Sequence, residues 1–151
     1  MKINLKTYLI VLLGALALSS CSTDKTMIAK GVNLNKYQYA SLTQTKNGFG
    51  TTTDIEIEPG IYDAVESTRL KMVGDRRVDD LTSLQKEKLV LVKYSATSTE
   101  KESVLSVSFE DYMTGKTVAS CRASNRSAWT RQKDVDRAIR KIADRIRSIW
   151  R

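Results

Sequence analysis

Hydrophobic and polar positions divide this chain into three kinds of stretch. Leu9 to Leu18 form one unbroken run of apolar or small residues, the middle of the chain alternates with period two, and the end repeats with the period of a helix. Alternation places successive side chains on opposite faces of a strand, whereas a 3.6-residue period gathers them into a stripe along a helix. "KYQYASL", Lys36 to Leu42, predicts a first strand with Tyr37, Tyr39 and Ser41 on one face and Gln38, Ala40 and Leu42 on the other. "KLVLVKYSATS", Lys88 to Ser98, carries Leu89 to Val92 apolar on both faces, as a central strand does. "SVLSVSFEDYMTGKTVASCRAS" predicts a hairpin: Leu105, Val107 and Phe109 alternate with Ser106, Ser108 and Glu110, Thr114-Gly115 turns the chain, and Val118 to Ala123 returns. Thr117, Ala119, Cys121 and Ala123 share a face there, so Cys121 is read as a small buried filler and not as a reactive thiol.

Two helices are expected. The first runs from Pro59, whose missing amide donor costs nothing at a helix start, to about Val73, with Gly74 as its terminator. Ile61, Val65, Thr68 and Met72 form its stripe, and Leu70 falls on the wrong side. The closing helix is the clearest element: Val135, Ile139, Ile142, Ile146 and Ile149 occupy a band about 80° wide. Between these elements, Thr43 to Glu58 reads as a long Thr- and Gly-rich loop, and "GDRRVDDLTS" as a turn with a short strand around Val78. The polar stretch from Ser22 to Asn35 reads as a flexible tether, able to reach about 46 Å if fully extended. The expected architecture is an α+β two-layer sandwich: a mixed or antiparallel sheet of about four strands with two helices on one face. It occupies residues 36–151 as one domain, after a signal at 1–20 and a tether at 21–35.

The apolar run at the start changes the picture. Lys2 and Lys6 precede it, and it is too short for the roughly 20 residues that a bilayer span requires. A basic start, a short apolar centre and small residues before a cut point are the parts of a secretory signal. A buried core helix would set two lysines and a long polar tail beside it without capping residues. "Leu18-Ser19-Ser20-Cys21" resembles the lipobox of bacterial lipoproteins. That resemblance implies cleavage between Ser20 and Cys21, with diacylglycerol on the Cys21 sulfur and acylation, such as palmitate, at the new amino terminus. The alternative is an ordinary signal cut near Ser20 that leaves a free thiol. Two or three acyl chains anchor stably where one is marginal. Ser22 in place of aspartate resembles outer-membrane sorting, and with only Asp24 beside Lys25 surface display is the weaker reading. The expected location is the outer membrane, lipid-anchored and facing the periplasm.

The chain holds 25 Lys and Arg against 17 Asp and Glu, formally +8, or about +6 once Lys2 and Lys6 leave with the signal. Residues 131–151 contribute eight basic and three acidic side chains. Trp129, Arg137, Arg140, Lys141, Arg147 and Arg151 form the candidate interaction surface, for anionic headgroups or an acidic envelope protein; a solvated face explains the same charges. Nucleic acid is not expected as a partner of a tethered, exported protein.

Chemistry finds little purchase. Histidine is absent, removing the usual near-neutral base and the commonest metal ligand. The neighbouring acids Asp79-Asp80 and Glu110-Asp111 point apart if they lie on strands, and Lys101 and Lys116 are as consistent with turns as with activating a serine. Gly48 and Gly50 in "NGFG" lack the lysine and helix of a phosphate loop. "Asn125-Arg126-Ser127" is a glycosylation triplet with no weight in a bacterial context. No catalytic residue, metal or cofactor is assigned.

The mature domain resembles a family of small bacterial lipoproteins built around a domain of unknown function. Tyr37 and Tyr39 match its early Tyr-x-Tyr/Trp strand, Val73 to Asp80 its turn into the core strand, Asp111, Thr114 and Gly115 its hairpin, and Trp129 its tryptophan segment. Arg76 departs from the pattern where the family has an aromatic. The likeness covers Lys36 to Ile149 and brings no activity with it. The expected function is that of a lipid-anchored envelope accessory protein, a protein-binding or assembly module at the outer membrane. The rivals are a binder of a small ligand or envelope polymer using Thr43 to Glu58, and a hydrolytic enzyme.

Overall fold

The computed structural model describes residues 24–43, 54–98, 102–126 and 131–151. Its elements are β1 (Lys25–Ile28), β2 (Tyr39–Leu42), α1 (Asp54–Glu66), β3 (Lys71–Met72), α2 (Ser83–Lys86), β4 (Leu89–Ser98), β5 (Ser103–Asp111), β6 (Thr117–Asn125) and α3 (Arg131–Ile149), with 3-10 turns at Leu34–Lys36 and Asp75–Arg77. The strands form one sheet in the order β1-β6-β5-β4-β2-β3. Pairing is antiparallel from β1 through β4, whereas β2 runs parallel to both β4 and β3.

The α+β character holds, but the expected sheet of about four strands with two helices does not. The described residues form a six-stranded mixed sheet and three helices. Both additional strands come from stretches without strand periodicity. β1 lies in the segment expected to be a plain tether, all four of its residues are exposed, and its place is set by pairing with β6. β3 is two residues long and continues the sheet beyond β2. No strand forms at Val78, which caps a 3-10 turn and is buried. The third helix, α2, is a single turn opened by a capping box in which Thr82 and Gln85 satisfy each other's backbone amides.

Helix α1 corrects the expected Pro59–Val73. It starts at Asp54, encloses Pro59 and ends at Glu66. An internal proline forfeits a helical hydrogen bond, yet the added turn carries Ile57 into the core, where it is 2% exposed. Ile57, Ile61, Ala64 and Val65 are the stripe that packs, and Leu70 no longer conflicts because it lies beyond the helix. Gly60 permits close approach to α3, since a Cβ there would stand 2.7 Å from Ile139 Cγ2.

The hairpin and closing helix stand as the periodicities predict. Along β5, Leu105, Val107 and Phe109 are buried and the serines between them are partly exposed. A bulge between Phe109 and Glu110 lets both Val118 and Ala119 of β6 be buried. Helix α3 lays Val135, Ile142, Ile146 and Ile149 on the core. Trp150, just past its end, is fully buried, with edge contacts to Tyr37 and Phe109 and the Arg69 guanidinium over its ring.

Candidate binding surface

The register across the sheet decides what its second face presents. α1 and α3 share the core with Val90, Val92, Leu105, Val107, Phe109, Cys121 and Ala123. Alternation sends Lys93 and Ser95 of β4, Ser106, Ser108 and Glu110 of β5, and Ser120 and Arg122 of β6 to the opposite side. Two transverse rows result. One runs Ser95, Ser106, Arg122, Lys25; the other runs Lys93, Ser108, Ser120, Met27. Serines line part of both rows, Ser95 and Ser106 in one and Ser108 and Ser120 in the other, and the longer Lys93, Arg122, Lys25 and Met27 stand around them. The outcome is a shallow trough of about 940 Å³.

Its electrostatics are uneven. Lys93 pairs with Glu110. Lys25 and Arg122 lie directly opposite each other, and neither has an acidic partner among the described residues. Like charges facing each other across a strand pair repel. Met27, two residues beyond Lys25 on the same face, is 64% exposed.

The margin of the trough is anchored at Asp24. Its Oδ1 accepts from the Ser124 amide at 2.8 Å, and its Oδ2 lies 3.5 Å from Lys141 and 3.4 Å from Arg145. Lys141 also donates to the Ser124 carbonyl at 2.8 Å. This clamp fastens the start of β1 to both β6 and α3.

The basic residues singled out from sequence do not form one patch. Lys141 is committed to the Asp24 clamp, and Arg147 turns toward α1, donating to Ser67 Oγ at 3.0 Å and to Asp144 at 3.2 Å. Arg137, Arg140 and Arg151 are exposed. Trp129, Ser20 and Cys21 lie outside the described residues, as do Lys101, Gly48 and Gly50. Sequence reasoning missed Lys25 and Arg122, because their juxtaposition depends on a strand that has no pattern of its own.

A second polar cluster sits at the far end of β5. The buried Asp111 carboxylate accepts from Lys36 Nζ at 2.9 Å, from the Tyr37 hydroxyl at 2.8 Å, and from the Thr114 amide and hydroxyl at 2.9 and 3.0 Å. Burial opposes its ionisation, but these donors outweigh burial and hold Asp111 well below the usual carboxylate range. The same burial and the neighbouring carboxylate push Tyr37 far above the usual phenol range. Gly115, at φ +66°, closes the turn. Two of these contacts shape the turn at Thr114 and two reach back to Lys36 and Tyr37, so the cluster fastens the hairpin to the chain at Tyr37. Glu110 faces the trough while Asp111 faces the core side, so the two acids do not converge. Tyr37 and Tyr39 also part: Tyr37 packs on Trp150, whereas the Tyr39 hydroxyl accepts from Gln85 at 3.3 Å. Cys121 is buried, and burial pushes its thiol up to about 12, so it is a poor nucleophile. Among the described residues no three His, Cys, Asp or Glu side chains are grouped to hold a metal ion.

No family model matches the chain, and no curated protein sequence matches it. Solved structures do. The chain has the fold of PelC. A point variant of PelC from Paraburkholderia phytofirmans, crystallised as a dodecamer, superposes with TM-score 0.57 at 8% identity, covering 83% of this chain and 98% of that one. A second PelC dodecamer from the same organism gives 0.53 at 11% identity, over 83% and 97%. At these identities the likeness to PelC is one of fold.

Proposed function

We propose that this chain is a lipid-anchored accessory protein of the bacterial envelope, held at the outer membrane through Cys21 and facing the periplasm, and that it acts as a binding and assembly module. The observation that carries the reading is the asymmetry of the sheet. One face is covered by α1 and α3, while the other is an open trough of small polar side chains bordered by cations. Such a face suits recognition better than bond-making chemistry, because its carboxylates Glu110 and Asp24 are held in ion pairs with Lys93 and with Lys141 and Arg145. The motif "Leu18-Ser19-Ser20-Cys21" supports the anchor. Among the described residues no helix is long and apolar enough to cross a membrane. The dodecamers recorded for PelC supply a precedent on this fold for the assembly form of the reading.

Intact-mass analysis of protein isolated from membranes tests the anchor. Wild type should begin at Cys21 and carry acyl mass, whereas Cys21→Ser should lose it and leave the membrane fraction or persist as precursor. Identical masses and distributions would remove the anchor. Size measurement and cross-linking in detergent then test assembly: discrete complexes support it, and a monomer without partners counts against it.

A binder of a small ligand is the second reading. A depression of about 620 Å³ lined by Leu42, Glu58, Tyr62, Met72, Arg76 and Arg77 borders the stretch from Thr43 to Glu58. A specific small molecule retained by purified protein that shows no protein partners would favour it.

A further inference from the structure

The structure shortens the tether. Because Asp24 is clamped to Ser124, Lys141 and Arg145, only three peptide units separate the fixed sheet from Cys21, a reach of at most about 11 Å. A free tether of 14 residues would have let the domain float clear of the headgroups. This one cannot. Whatever surface surrounds Asp24 stands at the bilayer if Cys21 carries lipid.

That surface is the β1 end of the trough. There Lys25 and Arg122 face each other, neither ion-paired with an acid among the described residues, and Met27 is exposed beside them. Two opposed cations destabilise the strand pair unless an anion bridges them. A phosphate group carries that charge and accepts from both an ammonium and a guanidinium. An exposed thioether next to the pair suits the boundary between headgroup and acyl chain. We propose that Lys25 and Arg122 bind the headgroup phosphate of an anionic phospholipid beside the anchor, with Met27 against the interface, so that the domain docks in a defined orientation. The trough then opens along the membrane surface. This inference rests on the lipidation of Cys21, and its test separates the two.

The test uses the mature lipidated protein in vesicles, with Met27→Cys carrying an environment-sensitive fluorophore. Cys121 is buried and unreactive, so lipidated protein takes one label; a second label would report an unmodified Cys21 and defeat the anchor reading by itself. In vesicles containing about 30 mol % phosphatidylglycerol, acrylamide quenching should fall by about threefold relative to pure phosphatidylcholine, and recover in about 0.5 M salt. The double variant Lys25→Glu, Arg122→Glu should lose the difference while remaining membrane-bound through its acyl chains. A label at Met113→Cys, on the opposite turn, should report no change. Equal quenching in both vesicle types for singly labelled protein would overturn the docking proposal and leave the anchor intact. Protection by a soluble polyanion in phosphatidylcholine vesicles, with none from phosphatidylglycerol, would reassign the site to an anionic polymer and equally overturn it.

Discussion

The two faces of β5 are made by the same nine residues and do opposite things. Leu105, Val107 and Phe109 are at most 1% exposed against α3, while Ser106, Ser108 and Glu110 line the open side. On the covered face, removing apolar area from water supplies stability and any void is costly. On the open face, side chains are short, the area buried is small, and what matters is charge. Core packing and exposed charge are thus carried by opposite sides of a single strand. Substitutions on one face should change melting without changing binding, and the reverse on the other.

The largest expected effect comes from breaking the covered face. Phe109→Ala should cost about 3–5 kcal/mol, because Phe109 is fully buried and supports Trp150 edge-on. Thermal or denaturant unfolding checks it, and a loss near zero would mean that α3 does not seal the core.

Asp111→Ala follows, at about 2 kcal/mol, since it orphans the buried Tyr37 hydroxyl and the Thr114 amide. The sign with pH is fixed by the depressed carboxylate. Its contribution is present above the unfolded value of about 4 and is lost as pH falls below that toward the folded value. The gap in melting temperature between wild type and variant should therefore be full at neutral pH and close on acidification. Tyr37, shifted upward, adds an alkaline limb: its stability is present below the unfolded value of about 10 and is lost as pH rises through the higher folded value.

Gly60→Ala is expected to cost about 1 kcal/mol net, the clash with Ile139 exceeding the gain in helix propensity. Ile139→Ala in the same chain should relieve the clash, so a double-mutant cycle will show coupling if α1 and α3 touch there.

The smallest effects belong to the open face and sharpen the contrast most. Ser108→Ala should stay within about 0.5 kcal/mol of wild type. Lys25→Glu should stabilise by up to about 0.5 kcal/mol by turning a repulsive pair with Arg122 into an attractive one. A variant that melts later yet docks less well would demonstrate the division of labour between the faces directly.

Much of the covered face is legible in the residues. Leu105, Val107 and Phe109 announce their strand by alternation, and Val135 to Ile149 announce their helix by steps of three and four, because burying one side of an element imposes that element's own period. Asp111, Thr114 and Gly115 announce the turn through local hydrogen bonding and a positive φ. The open face is far less legible. β1 has no apolar period, and Lys25 meets Arg122 only through backbone pairing between residues nearly a hundred positions apart. Helix α1 runs through Pro59 because Ile57 gains the core, a gain invisible until α3 is in place. Trp150 falls outside the apolar stripe legible in the closing helix, yet it is a centre of packing against Tyr37 and Phe109.

By itself, then, the sequence determined the elements whose burial repeats at short range: the hairpin, the central strand and the closing helix. Only the tertiary structure decided how far α1 extends, that a polar leader becomes an edge strand, and that two cations are brought face to face beside Asp24. The physical reason is range. A buried stripe is written into neighbouring residues, whereas an edge pairing and a charge juxtaposition exist only once distant segments share a sheet.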